Sequence, residues 1–265
     1  EFGKRIYREA WKCDWRRAEK KVVIGDGTEW IWNIAQQHFP SAIQIVDRKK
    51  LLEGPKELTA ENLLYPQISF QDVGTWQAVH AVYPLIGMEI AEFANSPKGK
   101  VRDFLLVLPE GIANECREER PMMFVLDITD ETKPLGVANF QVPQKGGDYC
   151  ARGGRFGPHQ TQENLTPIYH KRIVFVAWFN AGVRMVDVRN PFELKEIGFY
   201  VPAINKNTRP SCVKEGGRER CKTAIVTNAV EVDDRGYVYL VDRIGTGLHI
   251  IEPTGAARKV ANFKK

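Results

Sequence analysis

One arrangement of residues recurs in this chain and limits what it can fold into. "GVRMVDVRNPFELKEIGFYVP", Gly182 to Pro202, is an apolar run ending in aspartate, a short polar link, and a second apolar run closing on Val-Pro. "MMFVLDITDETKPLGVANFQVP", Met122 to Pro143, has the same order, and "GLHIIEPTGAARKVANF", Gly247 to Phe263, is a fainter copy. Tight turn signals such as "RNP" and "NAG" separate runs of strand length rich in β-branched and aromatic residues.

Each copy extends backwards to four short strands. The first unit reads "WQAVHAVYP", "VRDFLLVLPEG", "MMFVLDIT", "PLGVANFQVP". The second reads "GPHQTQENL", "KRIVFVAWF", "VRMVDV", "LKEIGFYVP", and the third "AIVTNAVEVDD", "GYVYLVD", "LHIIEP", "ARKVANF". The central runs are continuously apolar, as strands covered on both faces are. Repeated four-stranded antiparallel sheets are the signature of propeller blades, each stacking its faces on its neighbours. A single twisted sheet or a sandwich is the alternative, and the triple repetition favours the propeller.

The quoted units resemble the LVIVD-repeat β-propeller proteins of bacteria, whose repeat runs roughly Gly-Leu-x-Ile-Val-Asp-Val-x-x-Pro before a strand. "YCARGGRFGPHQTQEN" and "TNAVEVDDRGYVYLVDRIGTGLHII" carry the same resemblance. It covers about residues 65–263 and implies a partial propeller of about three four-stranded blades over 65–265, in a family often exported. It implies no particular ligand.

The first forty-seven residues follow another period. "KRIYREAWKCDWRRAEK" and "GTEWIWNIAQQHF" are helix patterns, each leading to a strand, "KVVIGD" and "AIQIVD", that ends in Asp26 or Asp47. Carboxylates at the ends of parallel strands suit a divalent metal. The run from Tyr7 to Asp47, above all "VVIGDGTEWIWNIA", resembles the catalytic region of DDE-type insertion-sequence transposases. That resemblance implies an RNase H-like fragment over 1–47 in which Asp26 is one of three metal-binding carboxylates. The match stops at Asp47, the other carboxylates have no counterpart, and strand transfer needs the whole set. The expectation is an inactive remnant joined through a 48–64 connector to the propeller part, as a truncated or chimeric gene product.

The bulk numbers fit a globular protein: 43% hydrophobic and 27% charged residues, with a net charge of +5 scattered along the chain. Such a scattered excess reads as solvated surface, and nucleic acid is not the expected partner. No apolar run approaches the ~18 residues of a membrane span. The opening "EFGKRIYREA" has neither Met nor a signal peptide, so the chain reads as processed or as a fragment, silent on export.

Five cysteines form no CxxC pair, which argues against a zinc knuckle. Cys212 and Cys221 bracket the polar, Gly-rich "VKEGGRER", and Cys116 and Cys150 flank a repeat unit. Two disulfides and an extracellular or periplasmic location are slightly favoured over reduced surface thiols.

Chemistry-bearing residues are few. His80, His159 and Asn228 fall at equivalent places in the first strand of each unit, with Glu163 four after His159 and Glu231 three after Asn228. In a propeller that strand lines the channel, where such a set suits a divalent metal or a polar ligand. Hydrogen bonding of strand ends around a wet channel is the preferred alternative. His38 reads as a helix cap, His170 as a turn residue, His249 as an exposed strand position, and Asp127, Asp187 and Glu252 as turn anchors. No nucleophile motif, phosphate loop or His-Glu-x-x-His is present. The expected role is a non-catalytic binding or scaffold surface that self-associates through uncovered apolar faces; a channel metal-binder or enzyme is the alternative.

Overall fold

The computed structural model describes residues 22–25, 43–46, 69–71, 79–97, 99–143 and 148–263. The chain divides into two units, Glu1–Phe70 and Gln71–Lys265. In the first, strand β1 (Val22–Gly25) pairs in parallel with β2 (Ile43–Val46), Val22 opposite Ile43. The expected helices of that unit, His38, Asp26, Asp47 and the 48–64 connector lie outside the described residues.

The second unit is mainly β. Its first sheet is an antiparallel meander of β3 (Val79–Glu89), β4 (Val101–Pro109), β5 (Met123–Asp127) and β6 (Leu135–Phe140). A second four-stranded meander follows, from β7 (Gln160–Thr161) and β8 (Ile173–Ala177) to β9 (Val183–Asp187) and β10 (Lys195–Tyr200). The hairpin β11 (Pro210–Glu215) and β12 (Arg218–Thr223) then leads to a third sheet of β13 (Thr227–Val232), β14 (Val238–Asp242) and β15 (Leu248–Ile251).

Side-chain alternation explains how the sheets stack. Every residue of β8, "IVFVA", is buried. Val174 and Val176 join Leu85, Phe104, Leu106 and Val125 of the first sheet in one core, together with Trp178 and Phe140. Ile173, Phe175 and Ala177 point the other way, into a second core with Val230, Val232, Val238 and Leu240 of the third sheet. The middle sheet is therefore covered on both faces, and its central strand needs no polar positions. At ~25 cal/mol per Å², burying such side chains is the main term favouring this stack.

Two segments differ from the sequence reading. "ARKVANF" does not form a fourth strand of the third sheet; helix α2 (Gly255–Val260) occupies it after Thr254, which is extended. Ala256, Ala257, Arg258 and Lys259 are good helix formers. The helix buries Ala257, and Phe263 beyond it packs edge-on against Tyr169 at 6.0 Å. The third sheet accordingly has three strands. "CVKEGGRERC", read as a loop, is the heart of the β11–β12 hairpin, with Cys212 directly opposite Cys221. Gly216 and Gly217 turn it with φ of 56° and 77°, the two left-handed positions of a type I′ turn.

Two disulfides join Cys116 to Cys150 and Cys212 to Cys221. The first ties the loop after β4 to the short helix α1 (Tyr149–Arg152). Glu115, next to Cys116, pairs with Arg220 of the hairpin, and that guanidinium holds its carboxyl below the usual range. No helix among the described residues is long and apolar enough to cross a membrane.

Candidate metal centre

The strand β7 packs against both β3 and β13, so the first strands of the three sheets meet. Each is irregular at its start. The β3–β4 register shifts between Val79 and Ala81, at His80. The β13–β14 register shifts between Thr227 and Ala229, at Asn228. His159 lies just before β7, and its N–H donates to Ala177 O at 2.9 Å, the residue that Gln160 also faces. Such bulges turn one side chain out of the strand's alternation and re-aim it.

The re-aimed side chains link the sheets in series. His80 Nδ1 is 3.0 Å from His159 O, and His159 Nδ1 is 2.6 Å from Asn228 O. A carbonyl oxygen only accepts, so each Nδ1 carries a proton, and a ring with a single proton has its lone pair on Nε2. The two rings stack with centroids 3.9 Å apart. Phe179 lies 5.1 Å from the His159 ring on the buried side. His159 is 6% exposed, whereas His80 is open to solvent. Burial, helped by the neighbouring His80, depresses the pKa of His159 against the opposing pull of Asn228 O and Glu110. Its imidazole is therefore neutral at neutral pH.

Glu110 completes the group. One ligand atom each from His80, Glu110 and His159 lies within 4.8 Å of the others. Glu110 follows Pro109, which stands opposite Val79 in the register, so the antiparallel pairing itself delivers the carboxylate beside His80. Glu110 Oε1 accepts from Arg155 Nη1 at 2.7 Å and is 3.8 Å from His159 Nε2 and 3.7 Å from Arg243 Nη1. Two imidazoles with engaged Nδ1 atoms and one carboxylate form a ligand set for zinc or another first-row divalent ion. Bonds of about 2.1 Å in a tetrahedral sphere bring ligand atoms within about 3.5 Å, so closing on an ion needs movements of about 1 Å. The exposed His80 has room for this.

The remaining candidate residues lie as follows. Glu231 accepts from the backbone N–H groups of Glu163 and Asn164 at 3.0 and 3.1 Å, and Glu163 accepts from Gln160 Nε2 at 3.3 Å. These two glutamates brace the chain after β7 and are not in the His80–Glu110–His159 group. Asn228 contributes its backbone oxygen, while its buried Oδ1 and the neighbouring Thr227 Oγ1 make no hydrogen bond among the described residues. Cys212, Glu219 and Cys221 also cluster, but their sulfurs are joined in a disulfide and offer no thiolate. Asp127 and Asp187 accept from the N–H groups of Thr129 and Arg189, closing turns. His170 Nε2 faces Pro84 O at 3.4 Å in a turn, and His249 lies between Tyr200 Oη and Thr246 Oγ1.

No protein-family model matches this chain, and no curated protein matches it. The reading of the site rests on its own chemistry.

Proposed function

We propose that the Gln71–Lys265 unit belongs to a β-propeller and acts as a binding module with a divalent first-row metal ion, zinc first, held by His80, Glu110 and His159. The propeller reading is supported by three meander sheets stacked face to face with their first strands together. The metal reading is carried by one observation: His159 spends Nδ1 on Asn228 O and holds Nε2 3.8 Å from Glu110, while His80, its own Nδ1 facing His159 O, joins them with one ligand atom from each of the three residues within 4.8 Å of the others. Hydrogen bonding explains the Nδ1 contacts and the Arg155 ion pair orients Glu110, but neither uses the His159 Nε2 that stands 3.8 Å from the carboxylate.

Isothermal titration of zinc into chelator-stripped full chain tests this. One equivalent should bind. His159→Asn keeps a donor near the Nδ1 position for Asn228 O but removes the Nε2 ligand, and should lower affinity at least ~100-fold, beyond the usual effect of an outer-shell residue. Glu110→Gln should weaken binding as well, whereas Glu163→Gln should not. Equal zinc affinity in His159→Asn and the unaltered chain would leave the imidazoles a purely structural role.

The stacked arrangement also leaves the outer face of the third sheet uncovered. Val241 and Leu248 are directly paired, and with Ile250 they are 45%, 61% and 57% exposed on one face. In the propeller reading such a face meets another sheet, and a second copy of the chain is the proposed occupant. Leu248→Glu combined with Ile250→Glu should reduce the mass seen by light scattering to that of one chain. An unaltered, already monomeric mass would contradict the self-association.

A further inference from the structure

The centre carries more positive charge than its one carboxylate offsets. Arg155 and Arg243 both approach Glu110 Oε1, at 2.7 and 3.7 Å. A bound dication held by two neutral imidazoles and Glu110 would raise the local excess by two further charges. Water as the remaining ligand does nothing to balance it. An anion does.

The two arginines are not equally available. Arg155 is committed: it donates to Glu110 and toward Gly111 O, its guanidinium lies 5.7 Å from the Phe179 ring centre, and its backbone bridges to Asn114. Among the described residues the Arg243 guanidinium makes only the longer 3.7 Å approach to Glu110, and its side chain is 43% exposed. Its main chain is fixed, since its N–H donates to Val226 O at 3.0 Å and its carbonyl accepts from Arg209 Nη2 at 3.2 Å. A fixed backbone with a half-exposed guanidinium places a planar cation beside Glu110, in a cluster whose His80 is open to solvent. Arg is the side chain best shaped to hold two oxygens of a carboxylate or phosphate.

We infer that the ligand of this centre is an oxyanion, a carboxylate or a phosphate group, bound to the metal through one oxygen and to Arg243 through another. This rests on the metal reading given above. The guanidinium would move from its long contact with Glu110 to the anion, while Arg155 keeps Glu110 oriented. No bond is made or broken in the ligand, and the site works as a receptor for an anionic group.

The test uses the full chain loaded with cobalt(II), whose visible absorption reports its coordination sphere, titrated with acetate and, separately, with inorganic phosphate. At least one anion should change the spectrum saturably. Arg243→Ala should weaken that anion at least tenfold while cobalt affinity measured without anion does not fall, and Arg243→Lys should restore part of the loss. Because the two ligands share one site, the anion should also tighten cobalt binding by the factor by which cobalt tightens the anion. A response to acetate alone assigns carboxylates, and a response to phosphate alone assigns phosphate groups. If cobalt binds but neither anion alters its spectrum, or if Arg243→Ala leaves anion affinity unchanged, the oxyanion assignment is wrong and the metal centre stands. Equal anion binding with and without cobalt would also overturn it. If cobalt does not bind, the metal reading fails and takes this assignment with it.

Discussion

Gly182→Ala should destabilise the protein by several kcal/mol, well beyond the effect of Gly217→Ala, although the two glycines have the same φ of 77°. A left-handed conformation alone costs a non-glycine residue about 1 kcal/mol or a little more. Gly217 lies in the turn of the exposed hairpin, and a Cβ there would meet nothing within 4 Å. At Gly182 it would stand 2.1 Å from Tyr200 O and 2.8 Å from Val201 Cα. Tyr200 is paired with Val183 at the edge of the second sheet, so relieving the contact means pulling β10 away from β9. Backbone displacements of that kind belong to the small class of severe substitutions. Urea denaturation of both variants separates conformational strain from crowding. Equal losses would show that β10 yields without cost.

Trp178→Ala should cost about 3–5 kcal/mol, the usual range for removing a large buried aromatic side chain. Trp178 is fully buried in the core between the first and second sheets, 5.7 Å from the Phe140 ring and 6.3 Å from that of Phe156. Its backbone N–H donates to Gly182 O at 2.7 Å, which closes the turn between β8 and β9 and fixes where the indole enters the core. The indole Nε1 makes no hydrogen bond among the described residues, so the loss on truncation is one of packing and not of a polar contact. Trp178→Phe should recover more than half of the stability, because it keeps the aromatic edge and leaves a smaller void. A loss below about 1 kcal/mol for Trp178→Ala, read from the urea midpoint at constant slope, would mean that the core collapses to fill the gap.

What the sequence makes legible follows from where burial decides conformation. In the first two units the apolar runs, their turn residues and their order correspond to four consecutive antiparallel strands. β8 is readable because both its faces are covered, so no polar residue interrupts it. The hairpin of β11 and β12 is harder to see. Most of its residues are exposed, so it shows no apolar face, and only the Gly216-Gly217 pair between two polar runs marks the turn. Helix α2 fails for the opposite reason. Ala257, Val260 and Phe263 recur every three residues, a helical spacing that the repeat frame masks, and all three pack in the second core.

The site follows the same logic. His80, His159 and Asn228 can be aligned because each sits at the start of a repeated first strand. Glu110 has no spacing relation to them along the chain. It reaches His80 only through the β3–β4 register, in which Val79 faces Pro109. Reading the first hairpin residue by residue would have found it. Glu163, chosen by its distance of four from His159, belongs to a stretch leaving a two-residue strand, where a four-residue interval has no helical meaning. Arg243 enters from the end of β14, one residue beyond Asp242, whose carboxylate accepts from the N–H groups of Ile244 and Thr246 and so sets the turn.

The most direct test of the metal centre is a crystal of the full chain grown or soaked with zinc, with diffraction recorded on both sides of the zinc absorption edge. An anomalous peak about 2.0–2.2 Å from Nε2 of both His80 and His159 and from a Glu110 oxygen is the predicted result. A peak elsewhere, such as between Glu163 and Glu231, or no peak in a crystal whose His80 and His159 rings are well ordered, would contradict it.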